Sequence, residues 1–411
     1  MGERILLGLG NNTDYEISWD SRVFERLIDE FSVADSELRT DKPISSTRDL
    51  LISILGFLKS GTGGERFVSS PLIIEEFASR FQNKITVGGT SVRAAIAMRK
   101  LGYTSALHIV TINDHVRKLI PRDCPWVCSN NKDSSYPHLI VQFQKDTCVK
   151  AGDIAIRTKR ANRIIYDNDY DNMVMEINAE FASLASDARV FLISGFNAMQ
   201  SSEMLADRLK KLLDITHSLP SDALVFYEDA CFHEQALSWQ VHKALIDVID
   251  IYSLNEDELQ AYVGREVSLR DPAEVYVALQ DLCRLLPVPA LVIHTQYWAL
   301  VFGSDATRYA KALKGGITMA TTRFRFGDDF TPADYLETAG LPGEAIGSEF
   351  AATLNRLAGH MVCCLPSVQV EEGERTTIGL GDAFVGGFLP ALADNIGQAT
   401  QKESNDEYRN K

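Results

Sequence analysis

Much of what would give this 411-residue chain an easy reading is missing from it. Cysteine is scarce. Seven residues in a chain this long make no disulfide framework, and Cys124/Cys128 and Cys363/Cys364 lack a zinc-ligand spacing and a following His pair. They read as reduced, mostly buried thiols. No run approaches the ~18 apolar residues of a membrane span. The opening MGERILLGLG is too short for a signal-peptide core with a cleavage site, so the expectation is a cytoplasmic protein with no membrane partner. An excess of positive charge is also missing. The formal balance is −15, a field that repels phosphate backbones and argues against non-specific nucleic-acid binding, while a local anion pocket stays possible. There is no internal repeat and no low-complexity tract. Gly8 and Gly10 lack the third glycine of a dinucleotide fingerprint, because that place holds Thr13.

What is present is an ordinary globular composition, 45% hydrophobic and 24% charged. The length fits about two or three domains, or one large α/β unit with an insertion. Apolar runs of strand length recur at Ile5 to Leu9, Ala106 to Thr111, Val190 to Ser194, Ala223 to Tyr227, Ile249 to Ser253 and Ala290 to His294. Stretches of helical period lie between most of them, among them Ser91 to Leu101, Met204 to Leu213 and His233 to Ile246. Strands apolar on both faces with helices between them predict a parallel sheet covered on both sides. Two segments break the rhythm. Residues 20–85 are mainly helical and polar, and residues 136–170 alternate apolar with polar, as strands with one wet face do. The chain thus divides into a large unit over 1–19, 86–135 and 171–411 and a lid over 20–85 and 136–170. The polar tail from about Gln398 reads as frayed.

Five short segments carry possible chemistry, and each also has a plain structural reading. In GLGD, Gly379, Leu380 and Gly381 can offer backbone N–H groups to a phosphate, with Asp382 beside them as a proton acceptor. Equally, they make a turn with an N-cap aspartate. Asn255 and Glu258 can hold the water shell of a divalent cation, or can form a capping box. Glu228 stands at the end of a strand, where ligand-binding groups collect and where lone acids are also common. Asn12 and Asp14 suit a polyhydroxylated ligand or a polar turn. Gly88 and Gly89 allow a ligand close to the main chain, or simply turn a strand into a helix.

The order of these segments resembles the ribokinase-like sugar kinases, and more closely their ADP-dependent glucokinase and phosphofructokinase branch. GLGD matches that family's GxGD motif, and Asn255 with Glu258 its NxxE motif. RANRII at 160–165, ISGF at 193–196, IHT at 293–295 and ATTR at 320–323 are similar to its recurring segments. The resemblance implies a three-layer α/β/α domain with a small β-rich lid. It implies phosphoryl transfer from ADP, with Mg²⁺, to a hydroxyl of a sugar or sugar phosphate. Asp382 is then the base, Gly379 to Gly381 the anion hole, Glu228, Asn255 and Glu258 the organisers of Mg²⁺ through water, and Asn12, Asp14, Gly88 and Gly89 the acceptor site. Val368 and Val370 line the adenine. Two departures shape the expectation. Phe226 stands where the family has a histidine before Glu228, and Ser45 and Ser46 stand where its glucokinases carry lid glutamates, which makes glucose a poor acceptor. Arg48 and the basic run Arg157, Lys159, Arg160, Arg163 are available to a second phosphate. The alternatives are an ATP-dependent sugar or nucleoside kinase and a non-catalytic binding protein on the same fold. The sequence carries no signal for oligomeric state.

Overall fold

The computed structural model describes residues 5–230, 232, 234–371 and 376–409. Nine strands form the main sheet, in the order Val362–Pro366, Trp298–Gly303, Ala290–His294, Ile251–Asn255, Leu224–Glu228, Val190–Ile193, Ile5–Leu7, Ala106–Ile109, Trp126–Cys128. Six expected runs supply strands to it. Trp298–Gly303 and Val362–Pro366 run antiparallel to their neighbours, so the sheet is parallel except at that edge. Alternation divides each strand between two cores. Leu6, Phe191 and Ile193 pack with the helices Ser202–Thr216, Gln235–Leu245 and Pro272–Leu285. Ile5, Leu7, Val190 and Leu192 pack with the helices Thr90–Lys100, Ala310–Phe326 and the helix that starts at Leu380. Two covered faces give the three layers of an α/β/α domain, which is what strands apolar on both faces require. His233, the expected start of a helix to Ile246, lies outside the described residues. Of the described cysteines, Cys124, Cys128, Cys363 and Cys364 are buried.

The smaller unit is a five-stranded sheet ordered Gly64–Phe67, Asn162–Asp167, His138–Phe143, Asn12–Ile17, Asn83–Gly88, with a hairpin of Cys148–Ala151 and Ile154–Arg157 beside it. Asn12–Ile17 thus pairs with Asn83–Gly88, a strand that the boundary drawn at 85/86 divides in half. One face is apolar. Ile17, Leu139, Val141, Phe143, Ile164 and Tyr166 pack on the helices Ser21–Phe31, Thr47–Ser60 and Pro71–Ala78. Strand register places the opposite set on the other face: Asn12, Asp14 and Glu16, across from Gly88, Thr86 and Lys84, with His138 and Gln142 alongside and Arg163 across from Gln142. A polar sheet face buried against a second domain needs charged partners, and those partners build the site.

Candidate active site

The GLGD segment joins a short loop to the helix Leu380–Arg409. Gly379 has φ +62°, a left-handed turn that L side chains rarely adopt. It lets the helix begin at Leu380, one turn earlier than an Asp382 cap would set it. The first N–H groups of a helix have no partner within it, so those of residues 380 to 382 remain for an anion, at the positive end of the helix dipole. Asp382 is the third helical residue. The cap expectation is therefore corrected: its Oδ1 accepts from the Thr90 hydroxyl at 2.8 Å, and its Oδ2 lies 3.7 Å from Arg93 Nε. The loop is held from both sides. Gln142 of the small sheet accepts the Thr377 N–H at 2.9 Å, and Arg323 Nε donates to the Ile378 carbonyl at 2.8 Å.

Opposite this loop stands the polar sheet face. The Asn12 amide donates to Asp14, and Arg93 Nη2 donates to the other Asp14 oxygen at 2.7 Å. Gly88 faces both: a Cβ there would lie 2.4 Å from Asn12 Nδ2 and 2.7 Å from Asp14 Oδ2. The missing side chain thus lets the Asn12 amide and the Asp14 carboxylate pack directly against the main chain at Gly88. Burial pushes the Asp14 carboxyl up, while Arg93 and His138 pull it down. Burial works against a charged His138, but the carboxylates of Asp169, Asp167 and Asp14 outweigh it and raise the imidazole to about 9. Asp169 accepts from His138 Nε2 at 3.1 Å.

A second acidic group sits at the ends of the central strands. Glu228 Oε1 is 3.0 Å from His294 Nε2, and the His294 ring packs on Phe384 in the first turns of the GLGD helix. Phe226, at the position of the expected histidine, is fully buried against Phe388. The imidazole near Glu228 thus comes from the IHT segment. Glu228 Oε2 and Ser253 Oγ are buried without a hydrogen-bond partner among the described residues, and their residues are paired on neighbouring strands. Asn255 and Glu258 form the capping box, with Glu258 Oε2 accepting the Asn255 N–H at 2.8 Å. Burial, with the charges of Asp229 and Glu228, pushes Glu258 far up, and burial first of all raises Asp229 to about 6. The orphaned oxygens of Glu228 and Ser253, with the raised carboxyls of Asp229 and Glu258, fit a divalent cation, which would favour the charged forms of Asp229 and Glu258. Among the described residues no three acidic, His or Cys side chains converge closely enough to chelate an ion directly, so contact through water suits this set.

These shifts fix a sign. A carboxyl raised in the folded state stabilises at low pH and loses that contribution as pH climbs through the raised value. Asp229, moved from 3.8 to about 6, and Glu258 therefore weaken the metal-free protein as pH rises. The Mg²⁺-induced rise in Tm should be larger at about pH 8 than at about pH 5, and smaller in Glu258→Gln, which retains the cap. Equal shifts at both pH values, read by calorimetry, would remove the cluster from metal binding.

Other expected residues lie elsewhere. Val368 bridges Gly343 beyond the edge strand, and Val370 follows it, half-buried. Gly89 has φ +92° and starts the helix Thr90–Lys100. Ser46 caps the helix Thr47–Ser60, and both Ser45 and Ser46 donate to Asp49. They stand by the Gly64–Phe67 edge, the far side of the sheet from Gly88. Arg48 is bidentate to Glu37 at 2.8 Å, Arg157 pairs with Asp146, and Arg160 donates to the Gly61 carbonyl. All four basic residues of the 157–163 run are exposed, and Arg163 shares the polar face with Gln142. Residues with no assigned role in the sequence reading include Thr90, Arg93, His138, Gln142 and His294. Arg93 had a signal: it is the only charged residue among the buried positions of its helix.

No helix among the described residues is long and apolar enough to cross a membrane. No curated protein sequence matches the chain. Its backbone is similar to a phosphofructokinase from Pyrococcus horikoshii OT3 solved with AMP, at TM-score 0.76 and 16% identity over 97% of this chain and 99% of that one. It is similar also to the last common ancestor of ADP-dependent phosphofructokinases from Methanosarcinales (TM-score 0.69, 15% identity, 95% and 94% covered). An ADP-dependent kinase in complex with fructose-6-phosphate and ADPβS gives 0.70 and 12% over the same shares. At these identities the likeness concerns the fold. The sequence itself matches the profile described as the ADP-specific phosphofructokinase/glucokinase conserved region over residues 3–389. With a match across nearly its whole length, the chain belongs to the ADP-specific phosphofructokinase/glucokinase family of sugar kinases.

Proposed function

We propose that this protein transfers a phosphoryl group from ADP to a hydroxyl of a sugar phosphate, with Asp382 as the base. The observation that carries the reading is the placement of Asp382 in the first turn of a helix, 3.7 Å from Arg93 Nε, the guanidinium that also holds Asp14 beside Asn12. The acceptor hydroxyl donates to Asp382, which takes the proton as the bond to phosphorus forms. Backbone N–H groups of Gly379 to Gly381 hold the charge on the transferred group. Asn12 and Asp14, packed against Gly88, and the neighbouring Gly89 orient the acceptor hydroxyls. Arg163, across from Gln142 and so near the Thr377 loop, meets phosphate oxygens, and Val368 and Val370 border the adenine. Glu228, Asn255 and Glu258 would hold Mg²⁺ through water, and the ion would supply neutralisation of charge on the donor phosphates. Closure of the small sheet over this site excludes water as a competing acceptor.

The sugar phosphate is favoured over glucose by Arg163, an exposed cation on the polar sheet face that is available to a second phosphate, whereas Ser45 and Ser46 lie at the far edge of the sheet. The solved relative bound to fructose-6-phosphate and ADPβS supports the same choice. The test is a screen of fructose 6-phosphate, glucose and a nucleoside with ADP or ATP, with and without Mg²⁺. Turnover is expected with ADP, Mg²⁺ and the sugar phosphate. Turnover of glucose at a micromolar KM, or a preference for ATP, overturns the corresponding part, and no transfer to any acceptor overturns the whole.

A further inference from the structure

One buried cation joins the two units at the proposed site. Arg93, 7% exposed, rises from the helix Thr90–Lys100 of the large domain. Its Nη2 reaches Asp14 Oδ2 at 2.7 Å, Thr86 Oγ1 at 3.3 Å and Glu16 Oε1 at 3.4 Å, all on the small sheet. Its Nε lies 3.7 Å from Asp382 Oδ2, in the large domain. The side chain also lies against the GLGD turn, where a Cβ on Gly379 would come within 3.0 Å of Nη1. Lys84 and Asp328 form another ion pair between the units, at 2.9 Å, but it is exposed.

Three carboxylates thus share one guanidinium. Its rigid fork offers several donors in one plane, which an ammonium cannot do. Removing the cation leaves the buried Asp14 carboxylate facing the part-buried Glu16 and Asp382 without a counter-charge. Thr90 alone would leave Asp382 free to rotate about its side chain.

Building on the kinase reading, we propose that Arg93 is a positioning residue that fixes the Asp382 carboxylate for proton transfer when the Asp14–Glu16 strand is docked against the large domain. The base is then oriented only in the docked arrangement, and ADP is spared transfer to water while the units are apart.

The experiment uses the full chain with Arg93→Gln and Arg93→Lys, ADP, Mg²⁺ and fructose 6-phosphate. Arg93→Gln is expected to lose about 10²-fold in kcat, the scale of a small misplacement of a reacting group. Its KM for ADP should stay at the parental value while that for the sugar phosphate rises. Arg93→Lys, which retains charge but not the fork, should fall between and guards against a glutamine variant that fails to fold. X-ray scattering of the nucleotide-free variants is expected to give a larger radius of gyration than the parent, and this readout does not depend on turnover. Variants with lowered Tm but parental kcat and KM overturn the proposal, since a space-filling guanidinium would behave so. If the parent turns over no acceptor, the kinase reading fails separately, and unchanged scattering curves then overturn the docking role of Arg93.

Discussion

Asp382→Asn is expected to fold and bind ADP as the parent does, and to lose at least about 10²-fold in kcat, the low end for general-base catalysis. A sugar hydroxyl is a weak nucleophile, so its proton must be received as the bond to phosphorus forms. An amide oxygen cannot receive it. The substitution preserves almost everything else. Asparagine still accepts from the Thr90 hydroxyl, and Arg93 retains Asp14 and Glu16 as partners. Because the helix begins at Leu380, Asp382 is not its N-cap, and little helix stability is at stake. Burst or equilibrium measurements of nucleotide binding, set beside kcat with fructose 6-phosphate, separate the outcomes. A variant that turns over near the parental rate removes Asp382 from the chemistry and leaves GLGD as a turn.

The main sheet was largely legible because its strands are apolar on both faces, a pattern set by local composition. Its antiparallel edge was not. Trp298–Gly303 reads WALVFG, and an apolar run carries no mark of direction. The border of the small unit was hidden for a different reason. NTDYEI alternates, but Asn12 and Asp14 beside two glycines look like a turn until Arg93 is placed against them. That contact spans 79 residues, and nothing local announces it. Ser45 and Ser46 show the opposite error. Position in an ordered set of motifs drew them toward the acceptor, whereas their own neighbours Thr47 to Asp49 make them a helix start. Asn255 and Glu258 illustrate how two readings can coexist: the capping box is present, and it also holds a carboxylate in a buried acidic group where a cation would be welcome. His294 was quoted within a motif, but its link to Glu228 crosses two strand pairings and appears only in three dimensions.

The second glycine pair of the same helix, in GDAFVGGF, gives the largest expected effect on stability. Gly387 lies where the GLGD helix crosses Ala310–Phe326 almost backbone to backbone. A Cβ on Gly387 would come 2.2 Å from the Gly315 carbonyl oxygen and 2.6 Å from Met319 Cβ. The partner has no slack either, because a Cβ on Gly315 would lie 2.4 Å from the Gly387 carbonyl oxygen. Backbone atoms cannot rotate aside as a side-chain tip can, so the helices must separate. Gly387→Ala should therefore cost about 3 kcal/mol, the upper end of overpacking penalties. For a chain of this size that corresponds to roughly 3–4 °C in Tm. Gly386→Ala is the control: its Cβ would meet Ala97 Cβ at 2.9 Å and the Ala94 carbonyl oxygen at 3.0 Å, a milder clash. The site should register the change too. Gly387 lies five residues beyond Asp382 on one helix, so a shift of that helix moves the carboxylate relative to Thr90 and Arg93. At temperatures where the variant is fully folded, kcat should fall while the KM for ADP holds. If Gly387→Ala melts with the parent and turns over at its rate, the two helices are not in the contact that places Asp382.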